Sequence, residues 1–467
     1  MASSSPDSAT PADSTTPTPT TGRRWQAGAL TYTTGGLALL FVWLLWGDFG
    51  YYLKDRSVRP TLQLLLKQFQ LSDMYVGLLL VSLPQAFAIG LAPVISYHSD
   101  RFRSRWGRRI PFLFVPTPIA FGAMIGLAFS PAIGRVLHQA LSGWDVQVNT
   151  CVVISFAFFW TIFELCAIIC NSAFFGLIND VVPHVIISRF FAMFRICSLA
   201  AGVFFNLYLF GQAETHSVAI FLGIGALYLV SFSLMCFKVK EGPYPPPPPK
   251  LPGPAGGPVA AVRSYFRDCF HHAHYRWIFL AFTFAWMAST PFDAFYIYYA
   301  QSVQMDMATL GKYAAAQLFV SLLQAYPVGW LADRFHPLRM MILVMGLYVV
   351  VSLLAFFLVR DAASYGFFFV AFGSLTGFFL TGTLSVGPML FPKMKFATFD
   401  SARIACYSVG IMIAGPACGS LLDFSGKQYR FVYLWACVFG LLALGATLMV
   451  YRGFVRHGGM KHYVAPE

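Results

Sequence analysis

Apolar runs long enough to cross a bilayer recur from end to end of this chain, and they limit what it can fold into. The hydrocarbon core takes about 20 mostly apolar residues per helix. Twelve runs meet that length, over about 27–52, 74–97, 110–133, 150–178, 188–211, 217–237, 277–300, 308–332, 338–359, 363–390, 397–423 and 429–451. Lipid leaves helices or closed barrels as spanning structures, and these runs are too long and continuous for barrel strands. The expectation is an all-α membrane protein with twelve transmembrane helices. Charged residues make up 11% of the chain, against about 25% in soluble proteins. That deficit overrides the soluble, several-domain fold that 467 residues would otherwise imply.

The net charge of +13 does not point to nucleic acid, because the basic residues sit in short loops between the apolar runs. With a cytoplasmic N-terminus, 22 of the 32 Lys and Arg fall on cytoplasmic segments and nine on outer loops, with Arg195 inside a span. This is the positive-inside pattern. It predicts a multi-pass protein of the cell membrane with both termini cytoplasmic. Residues 1–26 read as a disordered cytoplasmic tail, and 238–276, with Pro245–Pro249, as a stiff cytoplasmic linker. The linker separates a six-helix half over 27–237 from another over 277–452, and 453–467 form a cytoplasmic tail. The nine Cys have no paired spacing and read as small packing residues. No metal cluster, cofactor motif or catalytic constellation is evident, so no cofactor, metal or enzymatic activity is expected.

Glu164 is the sharpest single residue. It stands near the centre of the fourth run among Phe158, Phe159, Trp160, Ile162 and Phe163. A carboxyl there is costly and marks a functional candidate. Desolvation disfavours its charged form, which suits a group that takes and releases a proton; a structural ion pair is the alternative. Asn171 lies seven residues on, on the same helix face. Arg195, about two turns into the fifth run, reaches the depth of Asn171 more easily than that of Glu164. It is expected to meet solute hydroxyls, to exchange charge with Glu164, or to snorkel. Asp48 with Tyr52, and Asp293 with Tyr296, are placed in the outer halves of the first and seventh runs. A carboxylate beside rings suits a sugar, and an interfacial aromatic belt is the alternative reading. Thr61–Phe69 reads as an amphipathic helix on the outer surface. Ser72 or Asp73 is placed to cap the second span. Gly373, Gly377, Gly382 and Gly387, with Thr376, Thr381, Thr383 and Ser385, give the tenth a small-residue packing face.

The halves repeat. The loop after the second run ends His98-Ser99-Asp100-Arg101, and the loop after the eighth ends Leu331-Ala332-Asp333-Arg334, 233 residues on. Asp48 with Tyr51 and Tyr52 is echoed by Asp293 with Tyr296, Tyr298 and Tyr299. This doubled pattern resembles the major facilitator superfamily. The resemblance implies a monomeric unit that binds solute near mid-membrane and rocks its halves for alternating access. It also implies that Asp100, Arg101, Arg105, Arg108 and Arg109, with Asp333 and Arg334, form a cytoplasmic gate that locks the halves through charge pairs.

The stretch Ser99-Asp100-Arg101 through Arg105-Trp106-Gly107-Arg108-Arg109 to Pro111-Phe112 is similar to the plant sucrose and bacterial melibiose carriers. Arg189-Phe190-Phe191-Ala192 also looks like the melibiose carriers. Both groups are glycoside–pentoside–hexuronide cation symporters. Aligned with the melibiose carriers on Pro93 and Arg103, their sodium-ligand aspartates fall at Ala88 and Ala92, and their sugar-binding aspartate at Asn171. Alanine offers no ligand oxygen for sodium. Aligned with the sucrose carriers, an essential carboxylate falls at Glu164, a glutamine at Asn171 and an acidic position at Asp180, while a span-four arginine is replaced by Phe175. The resemblance therefore implies proton rather than sodium coupling, and a sugar-like solute. The expected function is proton-coupled symport of a sugar or glycoside. The alternatives are an exporter or carrier of an amphipathic molecule or lipid, and a non-transporting membrane receptor or scaffold.

Overall fold

A computed structural model of the chain describes residues 24–27, 30–69, 71–141, 146–242, 263, 265–267, 269–383, 385–392 and 395–466. Twelve helices are long and apolar enough to span a membrane. In chain order they are α1 (Thr34–Gln68), α2 (Asp73–Ile95), α3 (Ile110–Ala128), α4 (Val148–Val181), α5 (Arg189–Gln212), α6 (Ser217–Lys238), α7 (Ala273–Ser302), α8 (Met307–Phe335), α9 (Pro337–Leu358), α10 (Ala362–Leu390), α11 (Thr398–Phe424) and α12 (Phe431–Arg456). The even number returns the described ends of the chain to one side, together with the segment between α6 and α7.

The largest departure from the sequence expectation is α1. A hairpin, β1 (Trp25–Ala27) paired antiparallel with β2 (Leu30–Tyr32), occupies the expected start of the first span. Thr33 then caps the helix by accepting the Gly36 N–H at 3.1 Å. The helix does not stop at residue 52. It runs on through Pro60 to Gln68, and the segment expected as a surface helix is its last third. Leu62, Leu64, Leu65 and Leu66 are buried by protein there. The physical reason is that Lys54, Asp55, Arg56 and Arg59 face other helices and an internal cavity rather than lipid, so charge does not end the span. Three basic residues assigned to the outer loops thus belong to the interior.

Smaller departures follow the same logic. The run read as 110–133 divides into α3 and a separate helix, Ser130–Ala140. Pro245–Pro249 and residues 1–23 lie outside the described residues. The end of the linker is ordered against the second half: Cys269 is fully buried, and the Tyr265 and Ser401 hydroxyls meet at 3.0 Å. Beyond α12 the chain turns back, and Tyr463 donates to the Leu390 carbonyl at 2.9 Å. Gly373 and Gly377 of α10 face Gln317, Ser321 and Gln324 of α8 at distances that leave no room for a side chain. All nine cysteines are free.

The halves are closed at the end away from the termini. Ser72 makes no side-chain cap; instead Asp423 of α11 accepts the N–H groups of Asp73 and Met74, at 2.9 and 3.0 Å. The first turn of α2 is therefore capped in trans by the other half. Tyr429 donates to Asp73 at 3.3 Å, Gln63 to the Asp293 carbonyl at 3.0 Å, and Tyr298 to the Gln63 carbonyl at 2.8 Å. Gly415 and Gly419 of α11 press on the backbone of Gly77 and Asp73, an approach that only residues without a Cβ permit. One buried apolar cluster accordingly crosses both halves at this end, whereas a second is confined to the second half toward the termini. On that side Leu323, Tyr326 and Trp330 of α8 and Ile196 of α5 are exposed. The conformation is open toward the side of the termini.

Candidate solute site

A cavity of about 440 Å³ lies where the closed end meets the open one. Its polar wall is built by α1 (Asp55, Arg56, Arg59, Gln63), with Gln85 of α2, Asn206 of α5 and Gln317 of α8. From α7 come Trp286, Thr290, Asp293 and Tyr296. On α1, Asp55 and Arg56 stand four and three residues before Arg59, and Gln63 four after it, which puts all four toward one face.

Glu164 sits behind this wall. Its carboxylate is 5% exposed and accepts from the Arg59 guanidinium at 3.1 Å. Arg59 is 48% exposed, because its other face lines the cavity. The guanidinium thus joins a buried carboxylate to the cavity. Lys54, one turn before Val58, is buried over the rings of Tyr51 (4.1 Å), Phe163 (5.1 Å) and Tyr228 (5.1 Å). Lys54, Arg56 and Arg59 balance Asp55, Glu164 and Asp293, so the cluster is neutral as a whole. Isolated charges in such a place would be strongly penalised, and mutual compensation is what allows them.

The other expected solute residues separate into two groups. Asp293 and Tyr296 line the cavity together with Arg56 and Arg59. The Tyr296 ring lies 5.6 Å from Phe369. Asp48 and Tyr52 do not reach the cavity. Asp48 is fully buried inside the first half beside Cys197, and Tyr52 packs on Phe194 at 5.6 Å. The two aspartates stand at different depths: Asp48 is 20 residues before the end of α1, and Asp293 is nine before that of α7. Asn171 shares the face of Glu164 and is exposed toward the open side. Arg195 is exposed on the face of α5 that carries Gly202 and Asn206. Glu164 takes its ion pair from Arg59 rather than from Arg195.

Among the described residues, the basic loop braces the first half in this conformation. Arg108 grips Asp180 of α4 through two bonds, at 2.6 and 3.1 Å, and Arg109 reaches the same carboxylate at 3.4 Å. Arg109 also donates to Ser99 at 2.6 Å. Glu241, just past α6, accepts the N–H groups of Arg108, Arg109 and Ile110 at 2.9, 2.8 and 2.8 Å, and so caps α3. All these partners belong to the first half. The Asp100 side chain lies outside the described residues. Arg101 is half-buried, and Arg105 lies over the Trp106 ring at 5.8 Å. Asp333 is exposed, and Arg334 lies over Trp330 at 5.2 Å. The sequence reading missed Arg59, Arg56 and Asp55 because it ended the first span before them. Asp55 and Arg56 stand four and three residues before Arg59 inside an unbroken helical pattern, and that spacing was the available signal.

Solved structures of similar fold are transporters. A bacterial homologue of the human lysosomal transporter Spinster, in an inward-facing and unoccupied conformation, matches with a TM-score of 0.66 at 14% identity, over 90% of this chain and 98% of that one. The nucleoside transporter NupG matches with a TM-score of 0.66 at 12% identity, over 88% and 100%. A POT family transporter in complex with 5-aminolevulinic acid matches with a TM-score of 0.63 at 12% identity, over 90% and 96%. The family model described as MFS/sugar transport protein matches residues 32–402. With its twelve spans, paired halves and central cavity, the chain is a membrane transporter of the major facilitator type and belongs to the MFS/sugar transport protein family.

Proposed function

We propose that this transporter carries a neutral, polyhydroxylated solute, a sugar or glycoside, together with a proton, by alternating access across the cell membrane with its termini in the cytoplasm. The observation that carries the reading is the Arg59–Glu164 pair: one buried carboxylate whose charged partner also faces the solute. Gln63, Gln85, Asn206 and Gln317 supply hydroxyl-matching amides, and Trp286 supplies a flat ring beside them. Compensated wall charge favours a solute without net charge. Sugar transport in the family description points the same way.

In the proposed cycle, protonation of Glu164 frees Arg59 to turn to the solute and toward Asp293 across the cavity. Loss of the proton on the cytoplasmic side restores the Arg59–Glu164 pair and releases the solute. The protein acts as a monomer, since each chain contains the whole path. Proteoliposomes test this with a panel of labelled mono- and disaccharides under an imposed pH gradient. Accumulation of a sugar that collapses when a protonophore removes the gradient is the expected outcome. Uptake that ignores the pH gradient but follows sodium would overturn it.

A further inference from the structure

A second cavity, of about 550 Å³, lies apart from the solute path at the termini-side rim of the first half. One wall is the turn between α2 and α3, with Arg103, Arg105 and Trp106, and the other is the end of α6, with Phe237 and Lys240. The turn has a fixed shape. Gly107 has a φ of 111°, and the Ser104 hydroxyl donates to its carbonyl at 2.6 Å. A Cβ at Gly107 would run into Glu241.

Three of the residues lining this cavity are basic and one, Glu241, is acidic. Both oxygens of that carboxylate are spent on the backbone N–H groups that open α3. The charge the cavity presents is therefore positive. Its floor is aromatic: Trp106 meets Phe114 edge-on at 5.5 Å, and Phe114 meets Phe237 at 5.1 Å. Trp106 and Phe237 remain 45% and 61% exposed. On α3, one residue and one turn further into the span, Val115 and Ile119 are exposed as well. The apolar surface thus continues from the cavity along the side of α3.

A solvated basic cleft needs no such apolar continuation, but an amphiphile does. Exposed aromatic rings lie naturally at the level of lipid headgroups. Guanidinium forks match phosphate oxygens, and basic side chains at a membrane rim attract anionic lipid. We propose that this rim cavity binds the phosphate headgroup of an anionic phospholipid from the leaflet on the side of the termini, held by Arg103, Arg105 and Lys240. The acyl chains run over Phe114 and Phe237 and down α3.

The full-length transporter, stripped of lipid in detergent, is offered dioleoyl-phosphatidylglycerol, dioleoyl-phosphatidylcholine or inorganic phosphate. Native mass spectrometry reads the lipid retained, and the melting midpoint reads the effect on the fold. Phosphatidylglycerol is expected to be retained in preference to phosphatidylcholine and to raise the midpoint. The combined variant R103A, R105A and K240A loses about fivefold in affinity per residue, on the order of a hundredfold together. R103K with R105K keeps the charge and retains most of the binding, which separates loss of the site from loss of the fold. Equal retention of phosphatidylglycerol by the alanine variant would overturn the proposal. So would an equal stabilisation by inorganic phosphate, which would make the cavity an anion site with no use for its apolar wall.

Discussion

Arg59 does two things that conflict: it neutralises a buried carboxylate and it lines the central cavity. Its pairing with Glu164 is partly solvated, so the interaction is weaker than that of a dry ion pair. We expect a double-mutant cycle of Arg59→Gln and Glu164→Gln, read by thermal unfolding at neutral pH, to give a coupling of about 1–3 kcal/mol. The single Arg59→Gln change should destabilise more than the double change, because it strands the carboxylate. Additive effects would show that the two groups do not depend on one another. Asp293→Ala should weaken solute binding about ten- to a hundredfold, the value of a hydrogen bond to a charged group, as measured by scintillation proximity. Asp48→Asn should leave affinity unchanged, since that carboxyl is walled into the first half; a matching loss in both would restore the symmetric site that the sequence echo implied.

His336, between α8 and α9, tests the same kind of argument outside the membrane. Its Nδ1 accepts the Leu338 N–H at 3.2 Å, which requires a neutral ring. Burial, and then the charge of Arg339, hold its pKa below the ordinary histidine value. An unfolded histidine protonates near pH 6.5, so the unfolded state gains the proton first and stability falls as pH drops below about 6.5. His336→Asn keeps an acceptor and tolerates the φ of 80°. Between pH 7 and 5 the melting midpoint of this variant should fall less than that of the natural chain. An identical fall would mean that His336 takes its proton in the folded state.

Among the elements, α2 has the most unusual start. Its first turn is capped by Asp423 from the opposite half, so the cap exists only while the end away from the termini is closed. A cap is worth about 0.5–2 kcal/mol, enough to move a two-state population several-fold. Asp423→Ala should therefore shift the protein toward the form open at the end away from the termini. Pulsed electron–electron resonance between spin labels at the start of α2 and the end of α11 should show a longer distance gaining weight. An unchanged distance distribution would relegate Asp423 to surface decoration.

Helices that face lipid on one side were legible in the sequence, because the bilayer demands a continuous apolar run. α1 was not, since its charges at 54, 55, 56 and 59 turn inward and mimic the end of a span. The carboxylate Glu164 could be picked out by its cost in hydrocarbon, whereas its partner depended on which helices touch, which no local pattern reveals. Glu241 and Asp423 were missed for the same reason: each caps a helix far away in sequence.

For the whole molecule, closure at one end and exposure at the other leave the central cavity open toward the termini. α1 is central to both, carrying the Arg59 pair on one stretch and the Gln63 links to α7 on the next. If Glu164 titrates with transport, protonation, solute contact and closure of the halves are communicated through this one helix. The most direct measurement compares Glu164→Gln with the natural chain in proteoliposomes, since glutamine keeps the shape and mimics the protonated acid. The variant should show no uphill accumulation under a pH gradient, yet retain exchange of labelled solute between preloaded vesicles and medium, which moves no net proton. Accumulation by Glu164→Gln equal to that of the natural chain would contradict the assignment of Glu164 as the coupling group.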